Sequence, residues 1–103
     1  MTTTPLPQAF RVLKTLPAKL QFQRTTPVFT EETVPSGLRT AHRTKAGTWG
    51  RIIVLEGRLL YRIHTLPAEE HILDADTPGI VEPEVEHEVA PLGKSRFRVE
   101  FFR

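Results

Sequence analysis

Residues 42–62 read "HRTKAGTWGRIIVLEGRLLYR", and the fold class turns on this stretch. Its second half holds two apolar runs too short for ordinary helices, residues 52–55 and 59–61, separated by Gly57 and Arg58. Side chains alternate across a strand. Ile52 and Val54 therefore share one face, and Ile53 and Leu55 share the other. Both faces are apolar, which predicts a central strand covered on both sides, with Leu55 in the core. Beyond the Gly57–Arg58 turn, Leu59, Tyr61 and Ile63 again face one way, so the pair reads as a β-hairpin. The first half of the stretch sets the chain's one Trp, Trp49, between Gly47 and Gly50, with His42 just ahead.

The same period of two extends outward. In 20–23, Leu20 and Phe22 oppose Gln21 and Gln23, and the tract 25–38 carries Pro27, Pro35 and Gly37, which cut it into short extended pieces and a turn. Residues 71–82 give a strand, a turn at 76–79 and a second strand at 80–82. In 96–102, Phe97, Val99 and Phe101 point inward against Arg96, Arg98 and Glu100. Strands recurring about every ten residues with turn signals between them predict an all-β antiparallel barrel or sandwich. Residues 1–15 read as an N-terminal arm, in which 9–16 form a short helix or an edge strand stopped by Pro17. Residues 16–103 read as the single domain.

Composition narrows the function classes. The 103 residues fit one core. The absence of Cys excludes disulfides, thiolate metal sites and a Cys nucleophile. Fourteen basic against twelve acidic residues, scattered along the chain, argue against nucleic acid as partner. The start lacks the charged and apolar regions of a signal peptide, and no apolar run approaches a membrane span, so a cytoplasmic protein is expected. No nucleophile elbow, phosphate loop or dinucleotide fingerprint occurs, so no nucleotide cofactor is expected.

Of the four histidines, His42 and His87 lie in the turn-rich segments that would open into a barrel mouth. Glu82, Glu84, Glu86 and Glu88 surround His87 and favour a cation there. Imidazole with carboxylate suits a divalent metal, zinc or iron. The expected ligands are His42, His87 and Glu82, with Glu84 as the alternative because a turn through Pro83 breaks the alternation. Trp49, Lys45, Arg51 and Tyr61 are the expected pocket residues, with Arg43, Lys45 and Arg51 available to charge-pair an oxyanion. His64 and His71 read as exposed polar residues.

In this order, "TPVFTEETVP", "HRTKAGTWGRIIVLEGRLLYR", "PGIVEPEVEHEVAPLG" and "RFRVEFF" resemble the TehB/YeaR-like domain family across residues 16–103. The resemblance implies a cupin-like β-barrel, a double-stranded β-helix, associated with tellurite resistance. It implies His42 and Gly57 at the ends of the first cupin motif and His87 as the histidine of the second. Thr44 stands where cupins carry another histidine, and Gly50 where they carry a glutamate. Some members of the family add a methyltransferase that uses S-adenosylmethionine. A chain of this length without a nucleotide loop is expected to lack that domain. Three readings follow: a metal- or small-ligand-binding module, a metal-free homodimeric interaction domain, and a metal-dependent oxygenase or isomerase of unknown substrate.

Overall fold

The computed structural model describes residues 15–103, so most of the arm, including the open helix-or-strand segment, lies outside the described residues. Among the described residues, eight strands and one short 3-10 turn, Ser36–Leu38, follow in chain order: β1 Phe22–Thr25, β2 Phe29–Thr30, β3 Trp49–Glu56, β4 Leu59–Ile63, β5 Glu69–Leu73, β6 Gly79–Val81, β7 His87–Pro91 and β8 Arg96–Phe102. All named pairs are antiparallel. One sheet runs β1-β8-β3-β6, with β2 also on β8, and the other runs β5-β4-β7. The all-β expectation stands, in the form of two sheets rather than a closed barrel. No helix among the described residues is long and apolar enough to cross a membrane.

The predicted hairpin does not form. β3 has both edges occupied, by β8 and β6, while β4 lies between β5 and β7 in the other sheet. Gly57, at φ +76°, carries the chain from one sheet to the other. It passes so close to Lys94 and Ser95 that a Cβ there would press into the Lys94 carbonyl oxygen. A two-residue glycine turn is the usual hairpin signal. Here the same chemistry makes a corner between layers.

The two layers bury one face each. Ile52, Val54, Val81, Phe97 and Val99 from the first sheet pack with Leu59, Tyr61, Ile63, Leu73 and Val89 from the second in one continuous core. Burying these side chains is worth roughly 1.5–3 kcal/mol apiece before entropy is counted. The expected second covered face of β3 is absent: Ile53 is half-buried and Leu55 is 40% exposed, because a two-layer sandwich leaves the outer face of each sheet to solvent. Val99 is core as expected, at 8% exposure. β8 alternates as read, with Phe97 fully buried and Phe101 packed against the core.

Candidate functional site

The site grows from a single backbone bridge. His42 N–H donates to the His87 carbonyl at 2.9 Å, and His87 N–H donates to the His42 carbonyl at 2.8 Å. This isolated antiparallel bridge adds His42 to the outer edge of β7 and draws the 35–44 segment against the mouth of the sandwich. The rings meet edge to face with centroids 5.4 Å apart, and Tyr61 stands edge-on to His87 at 5.8 Å. The two histidines singled out in the sequence are therefore neighbours.

His87 is 6% exposed, since β7 alternation turns His87 and Val89 inward. Its Nδ1 lies 3.1 Å from the Val85 carbonyl oxygen, which can only accept. The proton therefore sits on Nδ1 in the neutral ring, and Nε2 keeps its lone pair. Burial pushes the His87 pKa down; the Val85 bond opposes that, and the nearby His42 and His64 charges reinforce it. Tyr61 is core: its hydroxyl donates to the Ile80 carbonyl at 2.9 Å, and burial, helped by Glu82 and Glu69, raises its pKa far above the ordinary phenol value.

A chamber of about 310 Å³ opens beside the pair. Phe29, Leu38, Ile52, Val81, Val89, Phe97 and Val99 give it an apolar wall, and His42, His87, Thr44, Thr26 and Arg24 supply its polar groups. Thr44 is buried and its hydroxyl is committed to the Thr48 carbonyl at 2.8 Å. Thr26 is also committed, donating to the Pro27 carbonyl at 2.8 Å and accepting from Val99 N–H at 2.9 Å. The two imidazoles and the Arg24 guanidinium are left as the groups able to meet a bound molecule. His42, Thr44, Gly50 and His87, the four positions where the resemblance puts cupin ligands, all line this one chamber.

An outer cleft of about 380 Å³ adjoins it, lined by Gln23, Arg24, His42, Arg43, Thr44, Lys45, Thr48, Phe101 and Arg103. Arg24, His42, Thr44 and Phe101 line both spaces. The Arg24 guanidinium sits 4.3 Å over the Phe101 ring, which fixes it at the junction.

The remaining expected site residues are spread more widely. Lys45 lines the cleft, whereas Trp49 and Arg51 lie on the outer face of β3 and line neither space. Arg51 donates through Nε and Nη2 to Glu100 Oε1 at 3.1 and 2.9 Å. Glu82 is half-buried at the end of β6. Glu84 is exposed at φ +64°, and its N–H donates to the Thr44 carbonyl at 3.1 Å. Glu86 and Glu88 turn away from His87: Glu86 pairs with Arg43 at 2.6 Å, and Glu88 meets His64 at 2.7 Å and Arg62 at 3.8 Å. Among the described residues, no group of three or more His, Cys, Asp or Glu side chains is gathered to hold a metal ion.

His64 is exposed as expected. His71 is not: it is 4% exposed, on the inward face of β5 with Leu73, while Ile72 points to solvent. Its Nε2 lies 3.1 Å from Glu69 Oε1, and its ring is tilted by 50° to Tyr61 with centroids 6.5 Å apart. Apolar neighbours on both phases of "EEHIL" hid this register. Sequence reading also missed Arg24 and Phe101 as a pair at the mouth, because they meet only through β1–β8 pairing.

The TehB-like domain model matches residues 24–99. A probable S-adenosyl-L-methionine-dependent methyltransferase TehB from Haemophilus influenzae Rd is 36% identical over 70 residues, 64% of this chain and 24% of that protein. Its counterpart from strain 10810 is 34% identical over the same span. The chain thus spans about a quarter of the length of the curated relatives it matches. The crystal structure of TehB from Haemophilus influenzae superposes with a TM-score of 0.75 at 30% identity, covering 82% of this chain and 32% of that one. A structural-genomics crystal structure of an Escherichia coli K12 protein superposes at 0.77 over 88% of this chain and 97% of its own; at 22% identity that likeness concerns the fold alone.

Proposed function

The chain belongs to the TehB-like domain family, and on that premise we propose that it is a small-ligand-binding module whose site is the chamber at His42 and His87. One observation carries the reading: the four positions where cupins hold their metal ligands line a single chamber, and two of them are Thr44 and Gly50. Neither supplies an imidazole or carboxylate: at Gly50 the space a side chain would take is occupied by Val81 and Val99, and the Thr44 hydroxyl is committed to Thr48. A largely apolar chamber with a few convergent polar groups is the usual form of a small-molecule site. On this reading the two sheets are an open version of the cupin-like double-stranded β-helix. Methyl transfer is in the name of the much longer relatives, and binding is the role proposed for this domain. The test is calorimetric titration with octanamide, a neutral apolar probe. One-to-one binding to the wild type that is lost in a folded Leu38→Trp variant, with the mouth filled, supports the reading. Absence of binding to the wild type by both octanamide and its anionic counterpart octanoate defeats it.

A divalent ion, zinc or iron, is the second reading. It is favoured by the Nε2 lone pair of His87 and by the 5.4 Å ring separation. Two imidazoles on one zinc, with Zn–N near 2 Å, have centroids about 5 Å apart. The donor set fits a metal only in part, because a resident catalytic zinc takes three protein ligands and no third joins the pair among the described residues. His42 and His87 would hold the ion and a bound ligand or water would complete it. Elemental analysis of untagged protein tests this. About one equivalent in the wild type and none in the His42→Ala/His87→Ala double variant would favour the metal; equal content in both would remove it.

A further inference from the structure

Resting on the small-ligand reading, we infer that the occupant is an amphipathic organic anion, an apolar body carrying one carboxylate. The chamber and the cleft ask for different chemistry and share a wall. The chamber side is apolar, and at close-packed density it holds about ten non-hydrogen atoms. The cleft side presents Arg24, Arg43, Lys45 and Arg103, and among the described residues no Asp or Glu side chain lines it. Arg43 is answered by Glu86, but among the described residues neither Arg24 nor Lys45 has a carboxylate partner. Arg24, Lys45 and Arg103, drawn together from three separate chain segments, raise a positive potential where the cleft adjoins the apolar space.

The shared wall sets how a ligand would lie. Arg24 is held over Phe101 and touches both spaces, as does His42. An apolar body in the chamber would bring its terminal group to these two residues. A bare inorganic oxyanion would satisfy the cleft and leave the apolar wall against water. A neutral apolar molecule would fill the chamber and leave the cations unanswered. A carboxylate with an apolar tail satisfies both, with charge-assisted hydrogen bonds at one end and burial at the other.

Calorimetry with octanoate, its neutral counterpart octanamide and inorganic sulfate tests the inference. Octanoate is expected to bind about tenfold more tightly than octanamide, and its affinity to fall with added salt. Arg24→Gln and Lys45→Gln, both at exposed side chains where folding is not at risk, should each weaken octanoate about three- to tenfold; Lys45→Gln, which lines only the cleft, should leave octanamide unchanged, and Arg24→Gln should weaken octanamide far less than octanoate. Equal affinities for octanoate and octanamide, unaffected by either variant, would overturn the anion inference while leaving the chamber as a ligand site. Sulfate binding as tightly as octanoate would likewise overturn it, reducing the cleft to a simple anion site. Failure of both octanoate and octanamide to bind would defeat the ligand-site reading itself.

Discussion

His42 and His87, 45 residues apart in the chain, exchange both of their backbone hydrogen bonds and set their rings edge to face at 5.4 Å. The bridge is a backbone feature, so its contribution separates from that of the ring. His42→Ala keeps the N–H and should cost no more than about 1 kcal/mol. His42→Pro removes the donor, leaves the His87 carbonyl without its partner and should cost about 1–3 kcal/mol beyond the alanine change. Urea midpoints of the two variants measure the difference. Equal midpoints would mean that the bridge does not hold the 35–44 segment in place.

Stability should fall in mild acid through His87. Burial lowers its pKa in the folded chain below the ordinary 6.5 that the unfolded chain retains. Between those two values the unfolded state binds more protons, so stability rises with pH there. The contribution is complete above about pH 6.5, is lost as pH falls from 6.5 toward the folded value, and levels off below it. His42 and Tyr61 face the ring, and the charge of His64, itself paired with Glu88, acts on it. Chemical denaturation of wild type and His87→Gln across pH 5 to 8 checks this. The variant should lack that part of the slope, and an identical slope in both would assign it to other groups.

The two apolar positions picked from the sequence should part company. Val99→Asp buries an unpaired carboxylate in the core and should cost several kcal/mol or prevent folding. Leu55→Asp sits on the outer face of β3 and should change stability by only about 0.5 kcal/mol. Soluble yield and thermal midpoint distinguish them, and an unfolded Leu55→Asp would mean that something covers that face.

Gly57→Ala should be severe for a surface residue. The backbone is left-handed at φ +76°, and the added Cβ meets Lys94 and Ser95 backbone atoms, which cannot swing aside. A loss of about 2 kcal/mol or more is expected in denaturant melts. Gly47→Ala, also left-handed but with open space around it, should cost less. Equal losses would show that the corner between the sheets tolerates widening.

The strands were legible because alternation is local: Leu59, Tyr61 and Ile63, and Phe97 and Val99, fall on the buried face as their spacing requires. Pairing was not legible. Gly57 looks the same whether it closes a hairpin or turns between layers, and only the occupation of both edges of β3 decides which. Two apolar faces on 52–55 suggested a third layer because the outward apolar Ile53 and Leu55 carry no mark of their exposure. In the site, His42 and His87 could be matched across the chain because their residue type and turn-rich setting are distinctive. The acidic residues around His87 misled, since the phase that turns His87 inward turns Glu86 and Glu88 toward Arg43, Arg62 and His64. Of the basic cleft, Arg43 and Lys45 were legible beside His42, whereas Arg24 and Arg103 were not, because they are distant in sequence and join it only through β1–β8 pairing.

The central claim, that ligands enter the chamber beside the histidine pair, is tested most directly by the imidazole carbon-bound proton resonances during titration with octanamide. All four histidines report in one spectrum, and His64 serves as an internal control on the outer surface, paired with Glu88. The account predicts saturable shifts of the His42 and His87 signals with a common dissociation constant while His64 stays fixed. Shifts at His64 alone, or none at His42 and His87 as the probe saturates, would contradict it.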